Sequence, residues 1–167
     1  MQYDVRTSKI QGPGFLYIGR VRLKQGTILG NGTAGYIDFF DTATAPVSAT
    51  YGRSSATVTV AKTAHGLSTG TQVGIAYVAS GGVAPVSGTY TITVVNADSF
   101  TITDLNSGSI TGNPACYYVP NGRWLLGTNT GTNLQPFQLL IPSEGILCQQ
   151  GIYSNSNNIT STQITYG

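Results

Sequence analysis

Along much of this chain apolar and polar residues alternate one for one. Thr57-Val58-Thr59-Val60, Gln72-Val73-Gly74-Ile75, Thr89-Tyr90-Thr91-Ile92-Thr93-Val94 and Ser99-Phe100-Thr101-Ile102-Thr103 keep this period, which turns one set of side chains to a core and the other to water. Further strands are predicted near Leu16 to Leu29, Gly35 to Phe40, Trp124 to Gly127, Phe137 to Ile141, Ile146 to Tyr153 and Gln163 to Tyr166. No window of helical length keeps a 3.6-residue apolar period without an interrupting Gly, Pro or β-branched run. Asn31-Gly32 and Asn121-Gly122 are hairpin signals, and Gly26, Gly35 and Gly151 mark bends or bulges. The expected fold class is all-β: an antiparallel, jelly-roll-like β-sandwich with an inserted small β-barrel-like module.

The insertion follows from what each part can bury. The flanks each supply only a few strands, and such a sheet leaves an apolar face uncovered, so the two flanks are expected to pack together as one host domain. The joints are read at Tyr51-Gly52-Arg53-Ser54-Ser55, at Thr111-Gly112-Asn113-Pro114 and at Pro120-Asn121-Gly122, all rich in turn-forming or strand-breaking residues. This gives a discontinuous host over residues 1–53 and 120–167 and an inserted domain over 54–119. Met1 to Gly14 has little periodicity and is expected to be an arm ordered by contact with a neighbour.

Composition narrows the class. Only 8% of the 167 residues are charged, far below the ~25% of an ordinary soluble domain. Yet 40% are hydrophobic, with ten Tyr and five Phe, so the chain has the material for a core. A surface of Thr, Ser, Asn, Gln and Gly lacks the like-charge repulsion that keeps monomers apart, which favours an oligomer or a lattice. The net charge of +2 is too small to argue for nucleic acid. Five basic residues gather early, at Arg6, Lys9, Arg20, Arg22 and Lys24. Arg20, Arg22 and Lys24 alternate with Val21 and Leu23, so they are expected on the solvent face of a strand, as assembly contacts or simply as a charged edge. No apolar run approaches the ~20 residues of a membrane helix. The start has neither the apolar stretch nor the cleavage site of a secretory signal, from which cytoplasmic synthesis is expected. Cys116 and Cys148 are then expected to be reduced and buried in strand interiors.

Catalytic chemistry finds little to work with. His65 is the only histidine, and in Ala64-His65-Gly66-Leu67 it sits at a turn, where it is expected to bond the local main chain. The acids Asp4, Asp38, Asp41, Asp98, Asp104 and Glu144 are scattered, so neither a carboxylate pair nor an oxygen cage for calcium follows simply. Asp41 is expected to cap the turn after its strand, and Asp98 to initiate the turn before Phe100. Gly12-Pro13-Gly14 and Gly81-Gly82 precede no helix and are not phosphate loops. No catalytic residue, metal ligand or cofactor is expected. Trp124, Tyr117 and Tyr118 have two readings: exposed platforms for a host glycan, or anchors of a core or subunit interface.

The order of turns carries a resemblance. A strand, then His65-Gly66-Leu67, Gly70 before Val73 and Ile75, Gly88-Thr89-Tyr90 and Asp98-Ser99-Phe100-Thr101 resemble a module of tailed-bacteriophage virion proteins. Gly19-Arg20-Val21-Arg22-Leu23, Gly35-Tyr36-Ile37-Asp38-Phe39-Phe40-Asp41, Leu140-Ile141-Pro142-Ser143-Glu144-Gly145-Ile146-Leu147, Gln150-Gly151-Ile152-Tyr153 and Ile164-Thr165-Tyr166-Gly167 are similar to short β-sandwich proteins encoded among phage structural genes. The resemblance implies a non-enzymatic virion protein made in the bacterial host cytoplasm. Its implied role is capsid decoration or cement, as a homotrimer or other symmetric oligomer on the major capsid protein. Alternatives are a tail fibre, adaptor or receptor-contacting protein bound to tail proteins, and a soluble carbohydrate-binding domain. Nucleic acid and membrane are not implied partners.

Overall fold

A computed structural model of the chain describes residues 5–110, 112–132 and 134–167. Met1 to Asp4 of the expected arm and Thr111 of an expected joint lie outside them. The described residues form strands β1 (Arg6–Ile10), β2 (Gly14–Ile18), β3 (Val21–Gly30), β4 (Gly35–Asp41), β5 (Val47–Ala61), β6 (Gln72–Tyr77), β7 (Gly88–Thr91) and β8 (Thr93–Asn96). They continue with β9 (Ser99–Ile110), β10 (Ala115–Pro120), β11 (Arg123–Gly131), β12 (Phe137–Leu140), β13 (Ile146–Cys148), β14 (Gly151–Asn157) and β15 (Ile159–Tyr166). The protein is all-β with antiparallel sheets. It divides into two compact units, Met1–Ala45 with Leu125–Gly167, and Pro46–Trp124.

The first unit is a sandwich. One sheet runs β1-β15-β3-β12, with β13 also on β3, and the other runs β11-β4-β14-β2. Leu23 and Ile28 of β3 and Ile164 of β15 meet Leu16 of β2, Ile37 and Phe39 of β4 and Ile152 of β14 in one core. Each such side chain, fully buried, stabilises the fold by roughly 1.5–3 kcal/mol. Alternation explains the selection: on β3, Val21 and Leu23 are buried while Arg22 and Lys24 between them are only half-covered.

Three expectations change here. The predicted strand from Leu16 to Leu29 is two strands, because Gly19 and Arg20 form a bend between β2 and β3, with Gly19 at φ 118°. The predicted strand from Ile146 to Tyr153 is also two, broken at Gln149 and Gln150. Part of the expected N-terminal arm is a strand of the sandwich: β1 pairs with β15 from Arg6 opposite Tyr166 to Ile10 opposite Thr162.

The second unit is a sheet in the order β7-β6-β10-β5-β9-β8. β7 and β8 stand at its two ends yet are joined through Ile92 alone, so one stretch of chain supplies both edges and the sheet curls round its core. Ile92 is buried, and its N–H and C=O bond the carbonyl of Thr71 and the amide of Gly70. Val58, Val60, Val73, Ile75, Phe100, Ile102, Cys116 and Tyr118 fill the interior.

The unit begins before the expected joint and ends after it. Tyr51-Gly52-Arg53-Ser54-Ser55 lies within β5, where Ala49 and Tyr51 face this unit's core. The break read in Ser54-Ser55 is a register shift against β9, with Ser55 at φ 57°, so it is a bulge inside a strand. At the other end the backbone of Arg123 and Trp124 crosses so close over Gly74 that a Cβ there would collide with it. Glycine at this position permits the crossing.

Candidate functional site

The basic residues do not converge on one site. Val21 and Leu23 face the core, so Arg22 and Lys24 of β3 point away from it, and Lys9 of β1 likewise stands beside the core-packed Ile10. Arg6 shares the parity of Ile10, opposite Tyr166 at the open edge. Arg20 is exposed but sits in the bend before β3, which corrects its expected place on the strand face. Arg22 approaches Glu144 at 3.8 Å and donates to the Gly145 carbonyl at 3.5 Å. Three of the five cations thus decorate the outer face of one sheet, with Arg22 partly answered by an acid.

The three aromatics separate as well. Trp124 and Tyr117 are half-buried. Tyr118, expected among exposed contacts, is only 1% exposed, and its ring meets Phe100 edge-on at 5.4 Å between centroids. Neighbours on a strand face opposite sides. Cys116 and Tyr118 therefore point inward together, leaving Tyr117 outward opposite Ser48 and Ala76.

Groups able to do chemistry are held in structural bonds. His65 Nδ1 accepts the Leu67 amide at 3.0 Å, so the Nε2 that lies 3.0 Å from the Asn96 carbonyl is the protonated nitrogen donating to it. The ring packs edge-on against Phe100 and ties the His65-Gly66-Leu67 turn to the end of β8. Gly66 takes the turn's left-handed conformation at φ 67°. The β8–β9 turn is initiated by Asn96, whose side chain accepts from Asp98 N and Ser99 Oγ, and not by Asp98 as the sequence predicts. Asp98 accepts the Ala64 amide at 2.8 Å.

Asp41 also departs from expectation. The turn after β4 is capped by Thr42, whose hydroxyl accepts the Thr44 amide and donates to the Thr44 carbonyl. The Asp41 carboxylate, 2% exposed, instead accepts the amides of Gln149, Gln150 and Gly151, at 2.8 Å for Gln150. It binds the link between β13 and β14 to the end of β4.

In the second unit Arg53 and Asp104 form a buried ion pair at 2.7 Å. Beside it Tyr51 donates to the Val78 carbonyl at 3.0 Å and Tyr90 donates to that of Val86. Burial pushes the Cys116 thiol up to about 12 and raises the Tyr77 hydroxyl well above its ordinary value, with Cys116 adding to the rise. A thiol so protonated is a core side chain and not a nucleophile. Both cysteines are buried as thiols, and that of Cys148 donates to the Ile146 carbonyl at 3.7 Å. Among the described residues no three His, Cys, Asp or Glu side chains cluster to hold a metal.

No protein-family model matches the chain, and no curated protein does. Among solved structures it is similar to the phage phi92 endosialidase, at 18% identity and a TM-score of 0.34, over 84% of this chain and 21% of that one. The chain thus spans about a fifth of that protein, and the superposition is too loose to bear on function.

Proposed function

We propose that this protein is a non-enzymatic structural component of a tailed-phage particle, a decoration or cement protein that docks as a symmetric oligomer on the head surface. The observation that carries this reading is the near absence of charge on two β units. Of eight basic and six acidic residues, Arg53, Asp104 and Asp41 are buried in structural bonds. The remaining surface of hydroxyls and amides makes neutral contacts that salt screens little and offers scant like-charge repulsion against close packing. Its turns, from His65-Gly66-Leu67 to Asp98-Ser99-Phe100, are also those in which the sequence resembles virion modules.

In this reading Lys9, Arg22 and Lys24, on the outer face of one sandwich sheet, are contacts to the shell, and the outward Tyr117 and the half-buried Trp124 are contacts to neighbouring copies. The reading is tested by mass spectrometry of purified particles from the phage that encodes the chain. Detection at a copy number comparable with the capsomers supports decoration, and absence from purified particles refutes a virion role.

A further inference from the structure

Between β11 and the start of β12 the sandwich carries an open groove of about 240 Å³, lined by Thr128, Asn129, Thr130, Gln135, Pro136 and Phe137. β11 belongs to one sheet and β12 to the other, so the groove lies where the chain crosses from sheet to sheet. None of its lining residues is charged. Thr128, Asn129, Thr130 and Gln135 bring hydroxyls and primary amides, groups that both donate and accept. Phe137 is half-buried and packed on the sandwich core, which holds its ring in place. Thr130 is 6% exposed, and its hydroxyl has no hydrogen-bond partner within the fold. That hydroxyl is closed off from solvent, so the bonding capacity open to a ligand is that of the exposed Asn129 and Gln135.

This lining discriminates between ligand classes. An ion finds no counter-charge here, and a wholly apolar ligand leaves the amides unpaired, which is unfavourable. A sugar ring offers hydroxyls at its edge and an apolar C–H face for an aromatic platform. The volume lies below the ~300–1,000 Å³ that encloses a drug-sized ligand, which suits one or two rings of a longer glycan laid along the surface. We propose that this groove binds neutral saccharides, with Asn129 and Gln135 holding hydroxyls and Phe137 supporting the ring face. The assignment does not depend on a place in a virion, and it puts sugar contact on the sandwich and not at Trp124 or Tyr117.

The test is an amide-resolved NMR titration of the full chain with cellotetraose, maltotetraose and chitotetraose, with sialyllactose as the anionic comparison. At least one neutral tetrasaccharide is expected to shift amides between Thr128 and Phe137. The double change Asn129→Ala and Gln135→Ala, at two exposed side chains, is expected to weaken that binding by about tenfold or more while leaving distant amides in place. Shifts centred elsewhere, a response to sialyllactose alone, undiminished binding by the double variant, or no response to any of the probes would overturn the assignment.

Discussion

Arg53 and Asp104 meet at 2.7 Å on the paired strands β5 and β9, with 0% and 1% of their side chains exposed. Around this contact Arg53 donates to the carbonyls of Ser55, Val83 and Asn106, and Asp104 accepts the amides of Val86 and Asn106. The pair thereby pins the segment between β6 and β7 at two points, Val83 and Val86. Removing one member of such a pair leaves a buried charge uncompensated and costs about 3–5 kcal/mol, whereas replacing both by apolar groups costs far less. Asp104→Ala is expected to lower stability by about that amount in urea unfolding, and Arg53→Met with Asp104→Leu by less than either single change. Additive losses would show that the two residues act separately.

Asp41 acts at a distance along the chain. Asp41→Ala removes the acceptor from the Gln149, Gln150 and Gly151 amides. Loss of stability by about 3 kcal/mol is expected, since each buried amide left without a partner costs ~1–3 kcal/mol. Asp41→Asn keeps one oxygen acceptor and is expected to recover part of the loss. Chemical denaturation of the three proteins measures both, and equal stability of wild type and Asp41→Ala would contradict the anchoring role.

The Cys116 thiol gives a pH dependence with a defined sign. Its folded value of about 12 stands above the ordinary 9.0. Between these values the unfolded chain has released the proton that the folded chain retains. Stability from this group is thus fully present below about pH 9 and is lost as pH rises toward 12, by about 1.4 kcal/mol per pH unit. Tyr51, Tyr77 and Tyr118, raised by burial, add to the loss at the alkaline end. Unfolding free energies measured across this range are expected to fall, and less steeply for Cys116→Ala; a flat profile would contradict the burial of the thiol.

Deleting residues 1–10 removes β1 from the ladder with β15. The expected result is lower stability of the sandwich, by ~1 kcal/mol for each ladder hydrogen bond lost. The newly bared edge of β15 is also expected to promote self-pairing. Thermal unfolding with size-exclusion chromatography reads both effects. An unchanged midpoint would restore β1 to the status of a dispensable arm.

The sequence announces these features unequally. Val58 and Val60, and Phe100 and Ile102, sit one residue apart in clean alternation, and they are core residues. The local bonding of His65 was legible because glycine follows it and strand residues flank the turn. The buried ion pair was hidden by its surroundings: Gly52 before Arg53 and Ser54-Ser55 after it read as a joint, when the strand runs on through a bulge. A signal was present in β9, where Asp104 shares parity with Phe100 and Ile102 and so points inward. The same parity with Cys116 places Tyr118 in the core and separates it from Tyr117. β1 carried no local signal, because Arg6–Ile10 lacks apolar alternation and is ordered by β15 at the far end of the chain. The partners of Asp41 are hidden for the same reason, the amides it accepts being remote in sequence. The residues lining the groove all fall between Thr128 and Phe137, but the groove forms only because β11 and β12 join different sheets, which no local pattern announces.

The proposed place on the head of a phage particle is tested by gold-labelled antibody against this chain, viewed on intact particles by electron microscopy. Label spread over the head is the predicted result. Label confined to the tail, or no label on any particle, would contradict it.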